Sequence, residues 1–161
     1  MHHIKATISF IIIFLVTGCT TVNVEQMKVM APRQDIKGLI INVDKNAFNE
    51  EGEAVALENG LRRKFSLHGY RVGEKGHELQ ARIINISRGS KIANTLVGLG
   101  VGKDVVEIEV KILNTENTPL ISFNVVGEVL DKRYAEVREM LSDTLPEQVV
   151  QRVKSWDYAK N

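Results

Sequence analysis

The chain has 161 residues, of which 43% are hydrophobic, 25% are charged and 6% are aromatic, and its formal net charge is +1. This length and composition predict one globular domain. The balanced charge argues against nucleic acid as a partner, since phosphate binding needs clustered Lys and Arg, and a single cysteine excludes an intrachain disulfide.

The first nineteen residues have the features of an export signal. Lys5 precedes an apolar run over residues 8–16 that is too short to span a bilayer. The run ends in Val16-Thr17-Gly18-Cys19, which resembles the lipobox of bacterial lipoproteins. That resemblance implies cleavage between Gly18 and Cys19 and acylation of Cys19, which would anchor the protein in a membrane. The alternative is a spare thiol within an uncleaved helix.

The residue after the cysteine bears on localisation. An Asp there would resemble the inner-membrane retention signal of many Gram-negative lipoproteins, but the residue is Thr20. We therefore expect the periplasmic face of the outer membrane, with a Gram-positive surface as the alternative. Lys5 is the only charged residue among residues 1–18, so their removal takes the formal net charge from +1 to zero.

Residues 19–35 are polar and mixed, include Pro32 and have no sustained helical period. We interpret them as a lipidated tether. Alternatively, their apolar residues lie on the domain or on a partner; these are Val22, Val24, Met27, Val29 and Met30. Residues 36–161 are then the folded domain.

A strand, a helix and a second strand are predicted first. Residues 36–43 are rich in β-branched side chains and indicate a buried strand. A helix is predicted after this strand, and Gly69 is placed to cap the end of that helix in the left-handed conformation. Residues 78–88 indicate a second strand, in which the apolar side chains lie at odd-numbered positions up to Ile83 and at even-numbered positions from Ile84. This change indicates a bulge or a strand covered on both faces. The helix is predicted from apolar residues at three- and four-residue steps, Ala54, Leu57, Leu61 and Phe65.

The second half predicts a hairpin and a C-terminal helix. Residues 104–113 and 121–129 alternate apolar and polar side chains around a turn at 115–119, as in an antiparallel pair with one wet face. Pro146 predicts a kink or a fresh start in the helix. The expected fold is α+β, a two-layer sandwich in which a small mixed or antiparallel sheet of about four strands carries two helices on one face. The helix follows an apolar stripe of Tyr134, Val137, Leu141, Leu145, Val149, Val153 and Trp156.

A glycine-rich segment, residues 89–103, separates the second and third predicted strands. It does not match a phosphate loop, because Val97 replaces the first glycine and Asp104 the hydroxyl residue. It does not match a dinucleotide fingerprint either, because Lys103 replaces the third glycine. We therefore predict no nucleotide and no cofactor.

Two interpretations of the glycine-rich segment stay open. It is either a flexible connection whose glycines adopt positive φ, or an exposed apolar surface for a protein partner, a second copy or the lipid interface. The predicted partner-binding residues are Ile92, Leu96, Val97, Gly98, Leu99, Gly100, Val101 and Gly102.

The span from Leu79 to Glu128 resembles a family of bacterial lipoproteins that carry domain of unknown function 4410. The likeness rests on Gly89-Ser90, on residues 96–102 and on the strands 105–113 and 120–126. The turn at 115–118 departs from the family, because it lacks a glycine. The resemblance implies an envelope lipoprotein and supplies no catalytic residues.

No catalytic residue and no metal site is predicted. His68 lies beside the helix-ending Gly69 and His77 lies in a polar turn, which indicates capping or surface roles. The histidines lack metal-ligand spacing, and the sequence has no nucleophile elbow. Glu107 and Glu109 are interpreted as part of a solvated sheet face.

These patterns predict a non-enzymatic, lipid-anchored adaptor or assembly factor of the bacterial envelope. It would bind protein partners or itself through the glycine-rich segment. The alternative is a module that binds a cell-wall or surface polymer on the exposed face of its sheet.

Overall fold

The computed structural model describes residues 20–46, 51–87, 104–129 and 134–157. The N-terminal half contains strands β1 (Thr20–Val24), β2 (Lys28–Val29) and β3 (Gly38–Val43), helix α1 (Glu51–Leu67), and strands β4 (Arg71–Val72) and β5 (His77–Ser87). The C-terminal half contains strands β6 (Asp104–Leu113) and β7 (Pro119–Val129), helix α2 (Tyr134–Glu139), a π-helical turn (Met140–Thr144) and helix α3 (Leu145–Trp156).

All seven described strands form one mixed sheet in the order β1-β7-β6-β5-β3-β4, with β2 also paired to β7. β3 runs parallel to β4 and β5, and the other pairs are antiparallel. The class is α+β as expected, but the prediction of a small sheet of about four strands in a two-layer sandwich is wrong. The sheet is larger than expected, because three short strands, β1, β2 and β4, extend it at its two edges. It curls into a half-barrel beside the helices.

The N-terminal segment supplies two of the additional strands. Thr20 to Val24 pair with Val129 to Val125, and Lys28-Val29 pair with Ser122-Ile121. The side chains of Val22, Val24 and Met27 pack against the hydrophobic core. Val22, Val24 and Met27 therefore lie on the domain, whereas Val29 and Met30 are exposed.

The hydrophobic core lies between the helices and one face of the sheet. Side chains at alternate positions of β6 and β7 are buried there, whereas their neighbours point away from the helices and are half-exposed. At Gly60, α1 meets the π-helical turn so closely that an added Cβ would overlap the carbonyl of Ser142. The helices contribute the fully buried residues Leu57, Leu61, Phe65, Leu145, Val149 and Val153.

Four local predictions are confirmed. α1 ends at the residues predicted, with Gly69 at φ 82°. The register of β5 against β6 shifts between Ile83 and Asn85, which is the expected bulge. β6 and β7 form the antiparallel hairpin, and α3 starts with Pro146 in its first turn.

The hairpin turn shows how the chain manages without a glycine. Asn117 adopts the left-handed conformation, with φ 60°, which asparagine tolerates better than most residues. The Asn114 side chain accepts hydrogen bonds from the backbone N–H groups of Glu116 and Thr118, at 2.9 and 2.8 Å. This Asx-type turn therefore forms without a glycine.

Candidate functional site

The residues that the sequence assigned to function lie outside the described residues. Gly18 and Cys19, the predicted cleavage and acylation site, directly precede β1. The glycine-rich segment, which contains all the predicted partner-binding residues, lies between β5 and β6. The structure therefore locates these residues only through the strands that flank them.

The strand register brings the two assigned regions to one end of the sheet. Thr20 pairs with Val129, Val129 pairs with Asp104, and Ser87 pairs with Val105. Since neighbouring strands lie about 4.8 Å apart, Thr20 and Asp104 are separated by roughly 10 Å. We call this the Thr20 end of the sheet. Cys19 enters there, and the connection between β5 and β6 starts and finishes there.

The connection between β5 and β6 is much longer than the pairing requires. Antiparallel neighbours can be joined by two residues, whereas residues 88–103 separate Ser87 from Asp104. Connections longer than about 12–15 residues are usually either functional segments or linkers. The length of this segment is therefore compatible with both interpretations given in the sequence analysis.

The face of the sheet that points away from the helices is a second candidate surface. Asn42 on β3 and Gln80 on β5 both donate to the Glu78 carboxylate, at 3.2 and 3.1 Å. Asn124 on β7 donates to Glu107 on β6, at 3.0 Å. We call this surface the open face. Hydrogen bonds on this face fall into separate groups that together involve four strands, β3, β5, β6 and β7.

Glu109 is the electrostatic centre of the open face. Its carboxylate accepts from Arg82, and it forms an ion pair with Lys111 at 3.2 Å. Burial alone would raise the pKa of Glu109, but the hydrogen bonds and charges of Lys111 and Arg82 outweigh burial and lower it. Glu109 is thus held as a carboxylate and is not poised to act as an acid at neutral pH.

A shallow cavity of about 400 Å³ lies on the open face. Its lining combines two carboxylates, two cations and two amides, so its formal charge is balanced. It is more polar than a typical small-molecule pocket, which is lined mainly by apolar side chains. The polar lining residues are Asn42, Asp44, Gln80, Arg82, Glu109 and Lys111.

Glu107 and Glu109 are partnered separately, as expected for a solvated sheet face. Glu107 contacts Asn124, whereas Glu109 contacts Arg82 and Lys111. The two carboxylates therefore do not share a proton or a ligand. The alternation of apolar and polar residues predicted that Glu107 and Glu109 lie on the solvent-exposed face, but it could not predict their cross-strand partners.

The two described histidines are held by different parts of the fold. His68 lies 2.9 Å from Glu147 of α3, and His77 lies 3.1 Å from Gln34. Burial lowers the pKa of His77, against the opposing influence of Asp157 and Asp35. Within the described ranges, no group of three or more His, Cys, Asp or Glu residues is arranged to hold a metal ion.

A buried polar contact joins the end of α3 to the start of β3. Asp157 is fully buried, and its carboxylate accepts a hydrogen bond from the backbone N–H of Ile36 at 3.4 Å. Burial, and then the adjacent Asp157 carboxylate, raise the pKa of the Tyr70 phenol. This contact fixes the C-terminal helix at the end of the sheet opposite Thr20, and no local sequence pattern indicated it.

Similarity searches give a fold relationship and no family. No family model matches the chain, and no curated protein matches it. The resemblance to domain of unknown function 4410 therefore stays a sequence-based expectation. Among the described residues, no helix is sufficiently long and apolar to cross a membrane.

Several solved structures are similar to this chain, and the two with a TM-score of 0.55 share its fold. A PelC dodecamer from Paraburkholderia phytofirmans, in a form with one substituted residue, superposes with a TM-score of 0.55 at 9% identity, over 87% of this chain and 99% of that chain. Another PelC dodecamer structure from the same organism superposes with a TM-score of 0.55 at 11% identity, over 84% of this chain and 97% of that chain. A minor lipoprotein from Acinetobacter baumannii superposes with a TM-score of 0.45 at 9% identity, over 73% of this chain and 92% of that chain.

Proposed function

We propose that this protein is a lipid-anchored lipoprotein of the bacterial envelope that acts as a non-enzymatic adaptor or assembly factor. Cys19 carries the acyl chains, and the glycine-rich segment binds a protein partner or a second copy of the chain. We place it on the periplasmic face of the outer membrane, because Thr20 occupies the position where Asp would resemble the retention signal.

One observation supports this proposal above the others: the pairing of Thr20 with Val129, and of Val129 with Asp104. The strand register brings the acylation site and both ends of the glycine-rich segment to the same end of the sheet. An anchored domain would therefore present this segment close to the membrane in every copy. Since PelC, which shares this fold at low identity, is described as a dodecamer, a second copy is one partner to test.

The proposal is tested by photo-crosslinking in the native envelope. A photoreactive residue at Leu99 is compared with one at Glu116, which is exposed in the turn at the opposite end of the sheet. We expect a defined protein adduct, or a dimer of this chain, at Leu99 only, and its loss in the unanchored Cys19→Ser variant. Equal labelling at both positions, or no adduct at Leu99, would reject the glycine-rich segment as the binding surface.

A second candidate function is the binding of a cell-wall or surface polymer on the open face. The balanced cavity favours it, because amides, carboxylates and cations together can donate to and accept from a hydroxyl-rich ligand. Co-sedimentation with purified envelope polymer separates the two functions. Polymer binding that is lost in Asn42→Ala and Gln80→Ala, but kept in Leu96→Ser and Leu99→Ser, would favour the open face over the adaptor role.

A further inference from the structure

We infer that the domain stands on the membrane on its Thr20 end, with its strands rising from the phospholipid surface and the open face turned to the surrounding solvent. This inference rests on the proposed acylation of Cys19 and adds a second partner surface, the bilayer itself. It gives the domain one orientation where a flexible tether would permit many.

The first argument is the lack of a spacer between the anchor and the sheet. Cys19 precedes Thr20 directly, and each residue from Thr20 to Val24 is paired with β7. Adjacent Cα atoms lie about 3.8 Å apart. The acyl chains would therefore leave the protein within one residue of a strand end, and the sheet could not move far from the surface that they enter.

The second argument is the dimension of the sheet along its strands. β7 runs from Pro119 to Val129, and Val129 lies beside Thr20. Pro119 pairs with Leu113 of β6, which in turn pairs with Glu78 near the start of β5. Eleven strand residues span roughly 33–37 Å. Pro119 would thus lie on the order of 30 Å from the bilayer, at what we call the Pro119 end.

The orientation decides which surfaces soluble partners can reach. The Pro119 end carries a broad groove of about 830 Å³ lined by charged residues that include Lys37, Arg71, Lys75 and Glu74. This groove and the open face would remain accessible to the periplasm. The ends of β5, β6 and β7 beside Thr20 would face lipid headgroups instead.

Two single substitutions on the open face make a matched pair of probes. Val105 is one residue from the Thr20 end on β6, and Ser122 is three residues from the Pro119 end on β7; both side chains are half-buried on the open face. Tryptophan is compatible with such strand positions. The native tryptophan, Trp156, is buried, and we expect it to give the same background emission in both variants.

The test measures tryptophan quenching in the full, acylated protein reconstituted into phosphatidylcholine vesicles that carry a nitroxide quencher on their headgroups. We expect Val105→Trp to lose emission relative to unlabelled vesicles and Ser122→Trp to keep it. Equal loss in both variants, greater loss at Ser122, or no loss in either vesicle-bound variant would overturn the upright orientation. Failure of the protein to float with the vesicles would instead reject the anchor and, with it, the proposed function.

A spacer provides a further check that does not depend on the stability of a strand variant. Fifteen Gly and Ser residues inserted after Cys19 would give the domain a reach of about 20 Å. We expect this insertion to abolish the quenching of Val105→Trp while flotation is retained. Unchanged quenching would overturn the claim that the direct link between Cys19 and β1 sets the orientation.

Discussion

Gly60 shows how one residue sets the distance between two helices. A Cβ there would overlap the backbone carbonyl of Ser142 and lie 2.8 Å from Pro146. The backbone of the π-helical turn cannot move aside as a flexible side chain can. Substitution of Gly60 by Ala should therefore destabilise the protein by about 1–3 kcal/mol through overpacking, despite the gain of up to about 1 kcal/mol that Ala brings to a helix interior.

Gly52 is the matched control for this prediction, since it lies in the same helix with nothing within 4 Å of an added Cβ. Gly52→Ala should be neutral or slightly stabilising. Urea unfolding of both variants, followed by far-ultraviolet circular dichroism, measures the difference. A Gly60→Ala protein that is as stable as Gly52→Ala would show that the two helices do not approach this closely.

The contact between Tyr70 and Asp157 makes a second prediction at the residue scale. The Tyr70 phenol donates a hydrogen bond to the buried Asp157 carboxylate, so Tyr70→Phe should cost about 1–3 kcal/mol. Because the two side chains interact, Tyr70→Phe and Asp157→Asn should not be additive in a double-mutant cycle of unfolding free energies. Strict additivity would mean that each side chain contributes through other neighbours.

At the scale of elements, a network of ion pairs joins α1 to the π-helical turn and α3. Asp143 lies 2.8 Å from Arg63 and 3.0 Å from Lys64, and Lys64 also lies 3.3 Å from Glu147. The hydrogen bond from Lys64 is the main influence that lowers the pKa of Asp143. The network thus ties the end of α1 to the π-helical turn and to α3.

The lowered pKa of Asp143 predicts how the contribution of these ion pairs to stability depends on pH. Because the folded pKa lies below the unfolded value of about 3.9, the contribution of Asp143 to stability is present at neutral pH and is lost as the pH falls below roughly 4. Asp143→Asn should therefore cost a few tenths to about 1 kcal/mol at pH 7, since the pair is partly exposed. The difference from the parent chain should vanish in urea titrations at low pH.

Glu139→Gln serves as the control, because Glu139 is an exposed carboxylate on the preceding helical turn. It should leave the pH dependence of stability nearly unchanged. If Asp143→Asn differs from the parent by the same amount at neutral and acidic pH, the effect of the substitution is not electrostatic.

The elements also show what the sequence could predict. The alternation in β6 and β7, the helical period of α1 and the parity shift in β5 are local patterns, and each of these predictions is confirmed. β2 and β4 have only two residues each, so they carry no period. They exist because β7 and β3 supply their hydrogen-bond partners, and such pairing across the sheet leaves no local pattern.

In the candidate site, too, the local patterns could be predicted from the sequence and the pairing across the sheet could not. The composition of residues 89–103 marked the segment as unusual, and Val-Thr-Gly-Cys marked Cys19. Their proximity could not be predicted, because it depends on the pairing of β1 with β7, whose residues lie more than a hundred positions apart along the chain. The hydrogen bonds on the open face likewise depend on the cross-strand register.

At the scale of the whole molecule, residues 20–30 decide whether the sheet ends in the short strand β1 or in the long strand β7. β1 and β2 cover the outer edge of β7, and Val22, Val24 and Met27 pack against the core. A chain that begins at Ala31 would lose this packing and expose the edge of β7. Unpaired strand edges promote association between molecules, so the truncation should lower stability and solubility together.

We expect the chain from Ala31 to lose roughly 2 kcal/mol or more relative to the chain from Thr20, since three partly buried apolar side chains are removed. Urea midpoints and size-exclusion elution across a range of concentrations measure both effects. A point-substitution pair makes the same test without truncation: Val22→Asp places a charge against the core, whereas Asn23→Asp changes an exposed position of the same strand. Equal stability of the two chains, and of the two variants, would mean that residues 20–30 are a tether after all, and the fixed orientation on the membrane would lose its basis.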